Sequence, residues 1–246
     1  MHTERFSQRA GSYAASRPSY PLEAVDVLGE GLGNPSGLTV ADLGAGTGIS
    51  ARLIASRGPR VFAIEPNAGM REAAAGVARI EWIDATAEST TLPDASVDVA
   101  AAFQAWHWFE HAAAVAEARR IVRPGGRLAV VYNERDERDP FTSAYGDIVR
   151  RYAQDATEAR RAEALARFAT IDPARTRRFD FVNVHHLDRA GVHARAASTS
   201  YLPRENERAR AMSADIEALL DAYAVDGVVA MHLVTTVVRL DLEAGA

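Results

Sequence analysis

The chain contains no cysteine and no lysine; all 28 of its Lys-plus-Arg positions are arginine. Without cysteine it can form no internal disulfide, no thiolate metal site and no cysteine nucleophile. Without lysine it has no side-chain amine for a Schiff base and no lysine general base. A run of about 18 apolar residues is also missing, so no transmembrane helix is expected. The first residues are polar and charged and lack the apolar stretch of a signal peptide. These absences predict a soluble, cytoplasmic protein with no membrane partner. Concentrated positive charge is lacking too. Residues 1–136 hold 13 arginines against 16 carboxylates, and residues 137–246 hold 15 against 17. A non-specific nucleic-acid binder needs a clustered positive field, so no nucleic-acid partner is expected. There is no internal repeat and no low-complexity tract.

What is present suits a single α/β domain with additions: 246 residues, 48% of them hydrophobic. The most informative segment is Val40-Ala41-Asp42-Leu43-Gly44-Ala45-Gly46-Thr47-Gly48-Ile49-Ser50. It reads as a short apolar strand, then three alternating glycines, then a helix beginning near Ile49. Glycines at such a turn let the backbone approach a ligand and take positive φ without a Cβ clash. The following helix turns its free N–H groups toward that ligand. A dinucleotide fingerprint, G-x-G-x-x-G, would put its third glycine at position 49. That position is Ile49, and the third glycine is Gly48 instead.

Asp42-Leu43-Gly44-Ala45-Gly46-Thr47-Gly48 resembles the glycine-rich motif of class I S-adenosylmethionine (SAM)-dependent methyltransferases. Further features follow in the order that this family requires. Arg60 to Ile64 is an apolar run ending at Glu65-Pro66, and Glu65 lies 19 residues after Gly46. The resemblance implies that Glu65 accepts hydrogen bonds from the SAM ribose; the alternative is an N-cap-like acid ahead of a helix around Met70. A third strand ends near Ile83, and the resemblance gives Asp84 to the adenine amino group, with Ala85 and Thr86 alongside. A fourth strand, from Ser96, opens into Gln104-Ala105-Trp106-His107-Trp108-Phe109, similar to a Q-A-x-H-W-F segment in members of the type 11-like, small-molecule subgroup. A helix over Glu110–Val122 and then Arg123-Pro124-Gly125-Gly126 precede the fifth strand, with Pro124 and Gly125 as the helix stop. Across residues 38–135 the resemblance implies SAM as cofactor. The binding set it implies is Tyr13, Asp42, Gly44, Ala45, Gly46, Thr47, Glu65, Pro66, Met70, Asp84, Ala85, Thr86, Gln104 and Ala105.

The expected fold is α/β: a Rossmann-like, seven-stranded, mostly parallel sheet with helices on both faces. Residues 1–37 are read as an N-terminal helical cap segment with a helix from Leu22 to Leu28. Residues 38–136 form the cofactor-binding core. Residues 137–177 are a helical lid insertion with helices at Pro140–Gln154 and Thr157–Ala169. Residues 178–246 return to the core. Arg178–Leu187 alternates with period two, which argues for a strand, and Met231–Leu240 is a β-branched strand that closes the chain. A longer helix is expected from Arg204 to Tyr223. The resemblance implies that the last two strands pair antiparallel, the final one beside the fifth.

The resulting expectation is methyl transfer from SAM to a small-molecule acceptor, a metabolite or natural-product intermediate. The SAM sulfonium is already a good leaving group, so in-line geometry and exclusion of water are the main tasks. His107 is the candidate general base, since its unperturbed pKa suits neutral pH; alternatively it packs between Trp106 and Trp108 and hydrogen-bonds a loop. Arg17, Tyr20, Trp106, Trp108 and Tyr201 are candidate substrate contacts. Tyr13 and Tyr20 can equally anchor the N-terminal segment. Adjacent His185 and His186 diverge on a strand, so no metal site is expected. The competing readings are a SAM-binding protein that does not methylate and an NAD(P)-dependent oxidoreductase. A monomer or a homodimer fits either.

Overall fold

The period-two runs become strands because the two faces of the sheet are each covered by helices. A computed structural model describes residues 18–74 and 79–243. Its strands are β1 (Thr39–Leu43), β2 (Arg60–Ile64), β3 (Ile80–Ile83), β4 (Val97–Phe103), β5 (Val122–Arg135), β6 (Thr176–Asp188) and β7 (Val228–Asp241). They form one seven-stranded sheet in the order β3-β2-β1-β4-β5-β7-β6. Neighbours from β3 through β5 pair in parallel. β7 runs antiparallel to both β5 and β6. This is the expected Rossmann-like sheet, with its last strand inserted beside the fifth.

The helices are α1 (Leu22–Gly29), α2 (Ile49–Ser56), α3 (Ala68–Glu72), α4 (His111–Ile121), α5 (Pro140–Tyr152), α6 (Thr157–Ala169), α7 (Arg189–Ser198) and α8 (Glu207–Tyr223). Alternation along the strands decides which helix covers which face. Val61 and Ala63 of β2, with Ala129 and Val131 of β5, pack against Ala24, Val25 and Leu28 of α1 and Ala51 and Ile54 of α2. The intervening residues, Ile64, Leu128, Val130 and Tyr132, pack against Ala114, Ala118 and Ile121 of α4 and Ala164 and Phe168 of α6. A third cluster joins α5, α7 and α8 to the far ends of β6 and β7, through Tyr145, Val192, Ile216 and Met231.

Some boundaries differ from the sequence reading. α4 ends at Ile121, ahead of Pro124, because Val122 already pairs with Val97. Arg123–Gly126 is therefore not a helix stop but an irregularity within β5: the register jumps from Val97–Val122 to Val99–Arg127. A Cβ at Gly126 would lie 2.4 Å from the Asp98 carbonyl oxygen, so only glycine fits there. α8 starts at Glu207 rather than Arg204, where the Asn206 side chain caps it by accepting from the Ala209 N–H at 2.9 Å.

The segment leading into α1 is fixed to the sheet by side chains distant in sequence. The Asn133 and Asn183 amides both donate to the Ser19 carbonyl, at 3.2 and 2.8 Å. At the other end of α1, buried Arg239 donates to the Val27 carbonyl and Arg127 to the Leu28 carbonyl. Cations at the last carbonyls of a helix also oppose its dipole favourably. Tyr13 and Arg17 lie outside the described residues.

Candidate active site

At the carboxyl ends of β1, β2, β4 and β5 a cavity of about 340 Å³ opens. This is where open α/β sheets bind their ligands. One wall is the glycine loop. The N–H groups of Gly44 and Ala45 donate to the Ile64 carbonyl at 2.9 and 3.0 Å, which fastens the loop across β2. Gly44, Gly46 and Gly48 all have positive φ, at +69°, +57° and +77°. Their surroundings differ. A Cβ on Gly44 would meet the Ala105 Cβ at 2.8 Å, and one on Gly48 would meet Trp82 at 2.9 Å, whereas one on Gly46 would meet nothing within 4 Å. Gly44 and Gly48 permit packing; Gly46 leaves the backbone open to the cavity.

Glu65 is buried against this loop. One of its carboxylate oxygens accepts from the Gly46 N–H and the other from the Asn67 N–H, each at 2.9 Å. Burial nevertheless raises its pKa above the usual carboxylate range, against these two hydrogen bonds and the nearby Arg71. Pro66 and Met70 continue this wall. Behind the loop, Asp42 is fully buried, and its Oδ2 accepts from the Ser50 hydroxyl at 2.6 Å. Burial, with a contribution from Glu65, pushes the Asp42 carboxyl up to about 7. Asp42 Oδ1 and the hydroxyl of buried Thr47 have no hydrogen-bond partner among the described residues.

The wall at the end of β4 is Gln104, Ala105, His107 and Trp108. Gln104 holds a left-handed φ of +55°, unusual for a residue with a side chain, and its amide donates to the Asn133 carbonyl at 3.1 Å. Trp106–Trp108 is a single 3₁₀ turn. It separates the two tryptophans: Trp108 faces the cavity, whereas Trp106 is 1% exposed, stacked on His111 and edge-on to Phe168. His107 Nδ1 lies 2.9 Å from the Tyr132 hydroxyl, which also accepts from the His107 backbone N–H at 3.1 Å. Burial, then the charges of Arg161 and Arg160, lower the His107 pKa to about 3, so the ring is neutral.

The remaining wall carries Asn133, Glu134 and Arg135 of β5, Thr157 and Arg161 of α6, and Tyr201 in the α7–α8 connection. Arg161 donates to Glu134 at 2.8 Å and lies over the Tyr132 ring, 5.2 Å from its centroid. Glu158 accepts from Arg135 at 2.8 Å and from the Tyr201 hydroxyl at 2.9 Å. Burial would raise the Glu158 pKa, but these neighbours hold it below the ordinary value. The Tyr201 hydroxyl is pushed up to about 12 by burial and by Glu158.

Of the residues singled out from the sequence, the cavity brings together Tyr20, Gly44, Ala45, Gly46, Thr47, Glu65, Pro66, Met70, Gln104, Ala105, His107, Trp108 and Tyr201. It is not lined by Asp42, Asp84, Ala85, Thr86 or Trp106. Asp84 is instead ion-paired with Arg71 at 2.7 Å and is 69% exposed. Arg71 also donates to the Glu65 carbonyl at 2.6 Å, tying the two acidic loops together. The sequence reading missed Arg71, Asn67, Asn133 and Arg161. No motif marks them; only the crossing of loops from different strands makes them neighbours.

The geometry suits an adenosyl ligand: an open backbone approach at Gly46, a carboxylate at Glu65, and an orphaned hydroxyl on Thr47. Residues 41–130 match the family described as Methyltransferase domain. An uncharacterized methyltransferase of Mycobacterium tuberculosis H37Rv is 40% identical over 147 residues, 59% of this chain and 59% of that protein. The chain thus spans 59% of the length of that relative. An uncharacterized methyltransferase-like protein of Schizosaccharomyces pombe is 30% identical over 153 residues, 61% of this chain and 60% of the other. Among solved structures, one from Anaeromyxobacter dehalogenans, assigned as a type II methyltransferase, superposes with a TM-score of 0.68 at 22% identity, covering 93% of this chain and 98% of that one. That likeness is one of fold. With motif, family match and sheet order in agreement, residues 41–130 match a methyltransferase domain, and the chain is similar to class I SAM-dependent methyltransferases.

Proposed function

We propose that this protein transfers the methyl group of SAM to a small-molecule acceptor. The observation that carries the reading is the continuity of one cavity. Its glycine-loop end has the Gly46 opening and Glu65, and its other end is walled by His107, Trp108, Arg161 and Tyr201. Bound SAM would supply an electrophilic methyl on a sulfonium. The chain's own residues would bind and orient. Gly44–Thr47 would face the ligand with backbone, and Glu65 would accept from its ribose hydroxyls through lone pairs that Gly46 and Asn67 leave open.

The α5–α6 segment, read as a lid, would exclude water. Two anchors support that role. Ala164 and Phe168 of α6 are buried in the main core, while Thr157 and Arg161, near its start, line the cavity. Such a cover would be a packed wall whose first turns form the acceptor side. Monomer or homodimer, cytoplasmic location and absence of nucleic-acid partners belong to the same proposal. The mild negative charge supports the absence of nucleic-acid partners, and among the described residues no helix is long and apolar enough to cross a membrane.

The test is calorimetry of the full chain with SAM, S-adenosylhomocysteine and NAD, followed by measurement of S-adenosylhomocysteine release across a panel of metabolites. Binding of both adenosyl ligands but not NAD, with acceptor-dependent release, is the expected result. Binding of NAD alone would overturn the reading. Binding of SAM without release on any acceptor would favour a non-methylating SAM-binding role.

A further inference from the structure

Resting on the methyl-transfer reading, we propose that the acceptor is a carboxylate, methylated to its ester, and that Arg161 and the ring N–H of His107 hold it. Proton donors dominate the acceptor end of the cavity. The Tyr132 hydroxyl has one hydrogen to give. It accepts from the His107 backbone N–H, and the other contact of its oxygen is His107 Nδ1. Its hydrogen therefore goes to Nδ1, and the imidazole proton sits on Nε2. Nε2 makes no hydrogen bond among the described residues, so it is a donor with a place to fill. Arg161 is the second donor. Its side chain is 17% exposed, its Nη2 serves Asn133 and Glu134, and its Nε carries no hydrogen bond among the described residues. Tyr132 stands between the two, with Arg161 over its ring face and His107 at its hydroxyl.

Each proton acceptor at this site already faces a donor: His107 Nδ1 faces Tyr132, one Glu134 oxygen faces Arg161, and Glu65 faces the Gly46 and Asn67 N–H groups. An alcohol, phenol or ammonium acceptor must lose a proton to become a nucleophile, whereas the Glu134 carboxylate of this wall is paired with Arg161 and the His107 ring meets the cavity through its N–H. A carboxylate is ionised already. Its oxygen forms the new O–CH₃ bond while the methyl–sulfur bond breaks, the electron pair passing to sulfur. Anion and sulfonium become a neutral ester and a neutral thioether, and no proton moves. A guanidinium and an N–H donor are the groups that hold such an anion in place.

The test uses the full chain loaded with S-adenosylhomocysteine and titrated with three matched pairs: trans-cinnamate and trans-cinnamamide, phenylacetate and phenylacetamide, octanoate and octanamide. At least one acid is expected to bind about tenfold or more tighter than its amide. Arg161→Met removes that preference while leaving S-adenosylhomocysteine affinity unchanged, and Arg161→Lys keeps part of it. Thermal melts of both variants, compared with the wild type, separate a binding effect from misfolding. With SAM, the preferred acid yields a methyl ester at a rate independent of pH between about 6 and 9, since the acceptor is already ionised and the transfer moves no proton. Equal binding of acid and amide in all three pairs, no binding by any of them, or methyl transfer to amines or phenols at a rate that climbs with pH would overturn the carboxylate assignment. If S-adenosylhomocysteine itself fails to bind, the methyl-transfer reading falls instead.

Discussion

The Ser50 hydroxyl donates to Asp42 at 2.6 Å across the floor of the glycine loop, joining the end of β1 to the first turn of α2. The other carboxylate oxygen, Oδ1, is buried and has no hydrogen-bond partner among the described residues. Burial pushes the Asp42 pKa up to about 7, above its ordinary 3.8. The folded state therefore binds a proton that the unfolded state has lost between those two values. Stability contributed by this group is fully present below about pH 4 and is lost as pH rises through about 7. Asp42→Asn should flatten this dependence. Denaturant unfolding at pH 5 and pH 8 should show the variant gaining on the wild type at the higher pH, by on the order of 1–4 kcal/mol. Parallel slopes for the two proteins would contradict it.

Gly46 and Gly48 should fail in different ways. Both have positive φ, so alanine costs about 1 kcal/mol or more at either. At Gly48 the added methyl also meets Trp82 at 2.9 Å, whereas at Gly46 it enters open space. Gly46→Ala should lose SAM affinity by about tenfold or more with a modest fall in melting temperature. Gly48→Ala should lose more stability because Trp82 must move. Paired calorimetry and thermal melts on the two variants decide it.

Arg71 holds two loops at once, through the Glu65 carbonyl at 2.6 Å and Asp84 at 2.7 Å. Its Asp84 partner is largely exposed, so the ion pair itself contributes little stability. The consequence is positional. Arg71→Met should leave global unfolding within about 1 kcal/mol of wild type. It should weaken SAM binding by about tenfold, because Glu65 loses the clamp on its backbone. An unaltered dissociation constant would show that Glu65 holds its place without Arg71.

The sheet could be read from the chain because its information is local. β1, β2 and β4 are apolar runs, and the glycine loop and Glu65 sit at fixed distances from them. Those distances follow from the length of one βαβ unit. What escaped reading is made by contacts without a local signature. The Asn133 and Asn183 amides meet Ser19, 114 and 164 residues away in sequence. The W-H-W segment has three aromatic rings and no pattern to say which face inward; a 3₁₀ turn puts Trp106 in the core and Trp108 in the cavity. No motif singles out Arg161 among the arginines of the chain, and its 17% exposure arises from packing α6 against Tyr132. Arg123–Gly126 shows the opposite failure. A proline and glycines that usually end a helix here form the irregular start of a strand.

His107 and Tyr132 give a prediction that separates a base from a donor. Burial and the charges of Arg161 and Arg160 hold the His107 pKa at about 3, well under its ordinary 6.5. Between those values the unfolded chain binds a proton that the folded chain does not, so stability from this group is full above about pH 6.5 and declines as pH falls toward 3. A catalytic base with an ordinary histidine pKa would instead impose an inflection near neutrality on the rate. Tyr132→Phe removes the hydroxyl that fixes the imidazole and leaves a buried nitrogen unpartnered, a cost of about 1–3 kcal/mol in denaturant unfolding. The ring can then present either nitrogen to the cavity. His107→Gln keeps a side-chain N–H and should retain much of the methyl-transfer rate, whereas His107→Phe, with no donor, should lose about tenfold or more. If glutamine and phenylalanine were equally damaging and the wild-type rate titrated near pH 6.5, His107 would be taking a proton rather than giving a hydrogen bond.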